Sequence, residues 1–252
     1  MKKAIYLTIM LIASISFAQT NEKPEADIDA SKPTNFYSQL DNTFEVAASE
    51  TQNVMGYRGK FMFAPSEAHL VLAEVPILYN DRTKKVGLGD IRARYFYLPY
   101  KNYDKFVGAF GPSVDVFAPT GSFKDGLGSG RFIVSPGLTV GLMASETIQF
   151  FPILSYQYSS KPTYDNPTPD ADIALHGMSF QVITPIVFSE KFFTQITPIY
   201  KMNDINNERN DRFEQEIFAA YSLTPKLQLT GYYNGKFQDK THTVSVGLTM
   251  FL

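Results

Sequence analysis

Apolar and polar residues alternate with a period of two along most of this chain. In the stretch LQLTGYYN, residues 227–234, one set of alternate positions carries Leu227 and Leu229, and the other carries Gln228 and Thr230. The final stretch, THTVSVGLTMFL, repeats the pattern with valine and leucine set against threonine, serine and glycine. Because successive side chains of a β-strand point to opposite faces, the pattern predicts many amphipathic strands.

The breaks between these strands are of two kinds. Tight breaks fall near residues 65–66, 101–102, 145–146, 189–190 and 224–225. Longer polar breaks fall near residues 50–53, 80–87, 119–130, 160–172, 203–211 and 238–240. The two kinds alternate, which predicts about 12 antiparallel strands with both termini at the tight-turn end, as in a transmembrane β-barrel. We therefore expect an all-β barrel over residues 43–252.

The N-terminus resembles an export signal. Lys2 and Lys3 precede an apolar run and a small-residue cleavage site that ends at Ala18, which predicts a cleaved signal peptide over residues 1–18. The polar, proline-containing stretch over residues 19–42 is expected to be a flexible periplasmic tail. Together these features predict a protein of the cell outer membrane.

A soluble lipocalin-like barrel would show the same alternation, because parity alone does not say whether the apolar face meets a core or lipid. Aromatic residues near the predicted tight turns, such as Phe61, Phe63, Tyr100 and Phe188, favour the membrane barrel, whose interfaces carry aromatic girdles. Prolines lie inside five predicted strands, where each removes a backbone donor, and they predict bulges or kinks. They are Pro112, Pro136, Pro152, Pro185 and Pro198.

The charge balance gives no reason to expect a nucleic-acid partner. Of 23 Lys and Arg residues, Lys2 and Lys3 belong to the signal peptide, which leaves 21 against 25 Asp and Glu and a formal charge of −4. The chain has no cysteine, which excludes disulfides and thiolate metal sites. The three histidines are far apart in sequence, so no metal site and no cofactor is predicted.

A glycine-rich stretch between two predicted strands invites comparison with phosphate-binding loops. Gly121 and Gly126 have the spacing of a P-loop, but Leu127 stands where the lysine belongs, and the residues that follow are typical of a strand. We interpret the stretch as a loop at the outer rim, where glycines permit tight turns. Its key positions are Pro119, Thr120, Gly121, Gly126, Gly128 and Gly130.

Short motifs in the same region resemble those of a known family. GLGDIRARY at Gly87–Tyr95, APTGSF at Ala118–Phe123, GLGSG at Gly126–Gly130 and SPGL at Ser135–Leu138 are similar to the outer-membrane proteins grouped as the "MetA-pathway of phenol degradation" or transporter-like family. The resemblance is clearest from Gly87 to Gly141. It implies an outer-membrane barrel that passes hydrophobic or aromatic small molecules and has no catalytic residues to carry over.

Nine charged residues are expected on the polar parity of the predicted strands, where they would line the lumen. They are Arg58, Lys60, Asp90, Arg92, Arg94, Asp115, Arg131, Glu214 and Glu216. They predict either a constriction that selects solutes or a network of ion pairs that fills a narrow barrel. Asp90 and Asp115 are the expected partners of Arg92 and Arg94, because two adjacent arginines on one face repel each other unless carboxylates neutralise them.

A passive channel or transporter is the leading functional prediction, with a structural or adhesive barrel whose lumen is plugged as the alternative. A third possibility is a lipid-modifying enzyme, because outer-membrane phospholipases use a serine and a histidine. His69, His176 and His242 lie near hydroxyl residues such as Ser179 and Thr243, but in no catalytic motif. The expected partners are outer-membrane lipids, a small-molecule solute and the barrel-assembly machinery during export.

Overall fold

The computed structural model of the protein describes residues 28–145, 148–164, 172–206 and 211–252. In these residues the chain forms one antiparallel sheet of 14 strand segments, which closes on itself because the first segment pairs with both the second and the last. The described part of the chain contains no helix long and apolar enough to cross a membrane. The predicted signal peptide, residues 1–18, lies outside the described residues.

The strand segments follow the predicted order along the chain. They are β1 (Gln39–Ala48), β2 (Asn53–Ser66), β3 (His69–Asn80), β4 (Lys85–Leu88), β5 (Ile91–Tyr97), β6 (Tyr100–Lys101), β7 (Val107–Ala118), β8 (Ile133–Met143), β9 (Gln149–Ser159), β10 (Leu175–Ser189), β11 (Phe192–Met202), β12 (Asp211–Thr224), β13 (Leu227–Lys236) and β14 (Thr241–Phe251). β4, β5 and β6 are consecutive pieces of one barrel strand, since β4 and β5 pair with β3 while β5 and β6 pair with β7. The barrel therefore has 12 strands, as predicted.

The first strand begins earlier than the sequence predicts. β1 starts at Gln39, and Leu40 and Asp41 already pair with Met250 and Thr249 of β14, whereas the predicted tail extends to residue 42. The polar residues of β1 face the lumen. Because they are polar, the start of this strand has a composition like that of a flexible tail. Residues 28–38 precede β1 at the end of the barrel where the tight turns lie, which we call the tight-turn end; the opposite end is the long-loop end.

Exposure confirms the predicted parity of the strands. In β14, Val246 and Leu248 are 59% and 44% exposed on the outside, whereas Ser245 and Thr249 are 6% and 4% exposed. Large apolar side chains are exposed in the same way on strands all around the barrel, among them Phe44, Ile77, Leu154, Phe180 and Ile217. A soluble barrel would bury this set, so the exterior is that of a barrel surrounded by lipid.

The strands run through their prolines without bulges. Pairing keeps one register past Pro112, Pro136, Pro152, Pro185 and Pro198. The register shifts lie close to the tight turns, between Phe63 and Ser66, Val107 and Ala109, Val187 and Ser189, and Ser222 and Thr224. The predicted bulges at the prolines are wrong, because each proline removes only its own N–H while the ladder continues on both sides.

The buried apolar side chains inside the barrel concentrate at the tight-turn end. Those within a few residues of a tight turn and at most 9% exposed include Leu98, Ala109, Met143, Phe151, Phe193 and Phe251. Since the exterior side chains of the same strands are exposed, these side chains point inward. The lumen is therefore filled with apolar side chains at the tight-turn end and is polar further toward the long-loop end.

Candidate functional site

The middle of the lumen holds a cavity of about 520 Å³ to which every barrel strand contributes side chains. Its lining includes six carboxylates and six cationic side chains, so it carries no net formal charge. The carboxylates are those of Asp41, Glu45, Glu74, Asp115, Glu214 and Glu216, and the cations are Arg58, Lys60, Arg92, Arg94, Lys201 and Lys236. Serine, threonine, glutamine and asparagine side chains make up much of the remainder.

An ion-pair network follows the wall formed by β1, β2, β3 and β5. Arg58 Nη2 lies 2.7 Å from the Glu45 carboxylate, and Arg58 Nη1 pairs with Glu74. The other oxygen of Glu74 lies 4.0 Å from Arg92 Nη1. The register places Glu74 opposite Lys60 on one side and Arg92 on the other, so opposite charges meet across neighbouring strands.

The network continues to β7 through Asp115. Arg92 donates to Asp115 from Nε at 2.9 Å and from Nη2 at 2.6 Å, and Arg94 donates to the same carboxylate from Nε at 2.9 Å. The Asp115 side chain is only 10% exposed, so its charge depends on these two guanidinium groups for compensation. The prediction that Asp115 is the partner of the arginine pair is confirmed.

A second cluster lies on β11, β12 and β13. Lys201 Nζ donates to Glu214 at 2.8 Å, and Lys236 is paired with Glu214 in the ladder between β12 and β13. The Asn234 amide donates to Glu214 at 3.4 Å and to Glu216 at 3.2 Å. Among the described residues, Glu216 forms no ion pair within 4.0 Å, so this carboxylate is open to the cavity.

The two clusters face each other across the lumen. β5, which carries the arginine pair, and β12, which carries Glu216, are six strands apart in either direction around the barrel. Arg92 and Arg94 nevertheless interact electrostatically with Glu216, and Arg92 also interacts with Tyr232 on β13. Arg92 and Arg94 therefore line the same cavity as Glu216 and Tyr232, from the opposite wall of the barrel.

Asp90, which the sequence groups with the lumen charges, does not line this cavity. Its carboxylate accepts hydrogen bonds from the backbone N–H of Gly121 at 3.1 Å and of Ser129 at 2.7 Å. The Thr120 hydroxyl donates to the Gly89 carbonyl at 2.7 Å beside it. Asp90 therefore anchors the loop after β7, because a carboxylate can satisfy backbone donors that the loop geometry leaves unpaired.

This loop, residues 119–132 between β7 and β8, folds toward the inside of the barrel. The buried side chain of Asn80 donates to the Asp125 carbonyl at 3.0 Å and to Gln52 Oε1 at 2.9 Å. Gly126 has a φ of 68°, and a Cβ there would collide with the Asn80 amide. The Leu127 side chain is 5% exposed. Glycine is required at 126 both for the backbone angle and for the close approach.

The predicted loop positions all fall in this connection: Pro119, Thr120, Gly121, Gly126, Gly128 and Gly130. A strand, β8, follows the loop, in agreement with the rejection of a nucleotide-binding motif. Arg131, also predicted to line the lumen, lies at the long-loop end, where its Nη1 donates to the carbonyls of Ser160 at 2.7 Å and Ile173 at 2.8 Å. Of the nine predicted charges, seven line the cavity, and Asp90 and Arg131 hold loops.

Five charged residues of the cavity were missed by the sequence analysis: Asp41, Glu45, Glu74, Lys201 and Lys236. The alternation of β1 places Asp41 and Glu45 on the polar parity and would have revealed them had the strand been started at Gln39. Glu74 carries no such signal, because β3 is apolar on both parities. Lys201 and Lys236 lie near strand ends, where their polarity is typical of loops.

Each of the three histidines is hydrogen-bonded to a tyrosine, not to a serine, within the part of the chain that the structure describes. His69 Nδ1 lies 2.7 Å from the Tyr95 hydroxyl, and His242 Nδ1 lies 2.9 Å from the Tyr233 hydroxyl. His176 Nδ1 is likewise hydrogen-bonded to a tyrosine, Tyr156. In the described ranges, no group of three or more His, Asp or Glu residues has the arrangement of a metal site.

No protein-family model matches this sequence, and no curated protein matches it. The resemblance to the phenol-degradation family therefore stays a prediction. The fold, in contrast, is shared with several solved structures of outer-membrane proteins.

A NanC porin superposes with a TM-score of 0.63 at 11% identity, over 84% of this chain and 100% of that one. An outer membrane channel from Pseudomonas putida gives a TM-score of 0.59 at 10% identity, over 93% and 100%. A KdgM porin in complex with disordered oligogalacturonate gives 0.57 at 10% identity, over 84% and 98%. At these identities the likeness concerns the fold, which is that of outer-membrane porin-type barrels.

Proposed function

We propose that the protein is a passive outer-membrane channel for small polar solutes. The observation that carries this proposal is the cavity in the middle of the lumen, which all barrel strands line and in which charged and hydroxyl side chains predominate. Rings of such side chains in a membrane barrel provide a path for water and hydrated solutes. The exterior apolar belt would contact outer-membrane lipids, and the barrel-assembly machinery would insert the exported chain.

The lining favours polar solutes over the hydrophobic or aromatic ones implied by the family resemblance. Two of the aromatic rings at the cavity, Phe117 and Phe96, are already covered by the guanidinium groups of Arg92 and Arg94, at 5.2 and 5.4 Å from the ring centroids. An apolar solute would displace water from ionised groups without compensating hydrogen bonds. A solute that itself carries hydroxyl, amide or charged groups can replace the hydrogen bonds that the displaced water made to these ionised groups.

A plugged structural barrel is the second candidate, and one observation favours it. The lumen is packed with apolar side chains at the tight-turn end, including Phe151 and Phe193. A barrel closed there would pass nothing. The two functions differ in whether solute crosses a membrane that contains the protein.

A liposome-swelling assay separates the two candidates. Vesicles that contain the purified protein are diluted into isosmotic arabinose, glycine or phenylacetate, and swelling reports solute entry. The proposal predicts swelling with arabinose and glycine that exceeds that of protein-free vesicles, and slower swelling with phenylacetate. Swelling equal to that of protein-free vesicles for every solute would favour the plugged barrel, and fastest entry of phenylacetate would restore the aromatic-solute prediction.

A further inference from the structure

Residues 28–38, which we call the strap, lie across the tight-turn end of the barrel. On one side, the ring of Phe36 packs against Phe96 of β5 with centroids 5.9 Å apart, and Lys101 Nζ lies 4.4 Å from the Phe36 ring. Phe96 also lines the central cavity. The strap therefore contacts the inner wall of the lumen at β5.

On the far side, the strap reaches β11. Gln195 Nε2 donates to the Ser31 carbonyl at 3.2 Å, and Gln195, like Phe96, lines the central cavity. β5 and β11 are five strands apart by the shorter path around a 12-strand barrel, so they lie on nearly opposite walls. A segment that touches both must cross the opening between them.

The middle of the strap is fixed to the turn between β6 and β7. The side chain of Thr34 is 1% exposed, and its hydroxyl lies 2.8 Å from the Tyr103 hydroxyl. Tyr103 in turn donates to Asn35 Oδ1 at 3.0 Å. This turn is the third point of attachment and holds the strap against the wall.

The C-terminal end of the strap leads directly into the barrel. Tyr37 packs edge-to-face on Phe251 of β14 with centroids 5.7 Å apart, and the Ser38 hydroxyl accepts from the Ala64 N–H at 3.0 Å. Because the strap continues directly into β1 at this end, its other contacts can break while it stays attached to the barrel.

We propose that the strap is a gate that closes the periplasmic mouth of the lumen, and that it must swing out before solute passes. This inference rests on the proposed channel function and adds the element that controls it. In the described part of the chain, the strap meets the barrel through few hydrogen bonds and aromatic contacts. Hydrogen bonds of this kind contribute modestly to stability, so displacement of the strap is reversible, unlike unfolding of the barrel.

The absence of cysteine allows a reversible lock. Ser31→Cys and Gln195→Cys are introduced together and joined by a short bifunctional methanethiosulfonate, which a reducing agent removes. The joined protein should swell arabinose vesicles no faster than protein-free vesicles, and reduction should restore the original rate. The Ser31→Cys variant alone, treated with the same reagent, controls for added bulk on the strap and should keep most of the original rate. The Gln195→Cys variant alone, whose side chain lines the cavity, measures how much added bulk there slows swelling, and the joined protein should be slower still.

A second variant tests release instead of locking. Tyr103→Phe removes both hydroxyl contacts to the strap and should raise the open fraction in single-channel records by about fivefold to tenfold. If vesicles swell equally with and without the cross-link, the gate is refuted while the channel stands. If neither the original protein nor Tyr103→Phe gives any swelling or current, both the channel and its gate are refuted.

Discussion

Arg92 holds Asp115 through two hydrogen bonds, from Nε at 2.9 Å and from Nη2 at 2.6 Å, across neighbouring strands of the lumen wall. Arg94 reaches the same carboxylate, so one acid compensates two arginines. The side chain of Asp115 is less exposed than the side chain of either arginine, at 10% against 24% and 25%. Asp115 is therefore the carboxylate that the two arginines share, while Glu74 lies further from Arg92, at 4.0 Å.

Replacing that carboxylate should weaken the barrel. Asp115→Asn leaves Arg92 and Arg94 close together without their shared counter-charge, and should lower the free energy of unfolding by about 1.5 to 3 kcal/mol, the range of hydrogen bonds to charged groups. Urea unfolding in lipid vesicles, followed by circular dichroism, measures the change. Ser113→Ala, on the same strand and the same face, is the control and should have little effect. If the two variants lost the same free energy of unfolding, the shared carboxylate of Asp115 would contribute no more to stability than a neighbouring hydroxyl.

The exterior and interior positions of β14 should respond differently to charge. Val246→Arg places a cation in the lipid and should cost about 2 to 4 kcal/mol near the middle of the bilayer. Ser245→Arg points into the lumen beside Glu45, its partner in the ladder, and should cost less. The same unfolding experiment compares them. A greater loss for Ser245→Arg would reverse the assignment of the two faces.

Orientation in the membrane can be tested with single cysteines at the two ends of the barrel. Lys124→Cys lies in the exposed part of the 119–132 loop, and Lys105→Cys lies in the turn between β6 and β7. A membrane-impermeant maleimide added to intact cells should label Lys124→Cys and leave Lys105→Cys unlabelled until the outer membrane is opened. The reverse pattern would place the tight turns outside the cell.

Tyr103 predicts a dependence of the channel on alkaline pH. Burial raises the pKa of Tyr103 above its ordinary value of 10.0, although its hydrogen bond to Thr34 acts in the opposite direction. The neutral hydroxyl therefore stabilises the strap fully below the ordinary pKa, and this contribution is lost as the pH rises through the raised value. The open fraction in single-channel records should increase as the pH is raised past 10.

The control for this experiment is Tyr103→Phe, which has no group to titrate at that position. Its open fraction should be higher at neutral pH and should change less on going to alkaline pH. An increase of the same size in both proteins would assign the pH effect to other groups.

The sequence was sufficient to predict the barrel, because the alternation of apolar and polar residues is a direct consequence of strand geometry. The parity of Val246 and Ser245 follows from the same rule, whereas Asp115 was expected beside the arginine pair because it lies on the next strand and the two arginines need a counter-charge. It could not reveal Glu74, since β3 is apolar on both faces and only the closed sheet shows which face is inside.

Two further features depend on contacts between distant parts of the chain. Asp90 lies between β4 and β5 and is charged like the residues of the lumen wall, yet it accepts hydrogen bonds from backbone amides of a loop about 30 to 40 residues further along the chain. Residues 28–38 are polar and contain a proline, a composition typical of a tail. Only the packing of Phe36 on Phe96 and the contact of Ser31 with Gln195 show that they cross the barrel.

The central claim is that ions and polar solutes pass through the lumen, and chemical modification of one lumen residue tests it most directly. Ser179 lines the cavity, whereas Phe180, its neighbour in β10, faces outward and is 47% exposed. Each is replaced by cysteine in a separate variant, Ser179→Cys and Phe180→Cys. Single-channel current is recorded in a planar bilayer before and after a positively or negatively charged methanethiosulfonate is added. We predict that Ser179→Cys loses conductance with both reagents and shifts its ion preference in opposite directions, while Phe180→Cys does not change. Absence of current, or equal responses of the two variants, would contradict a conducting lumen.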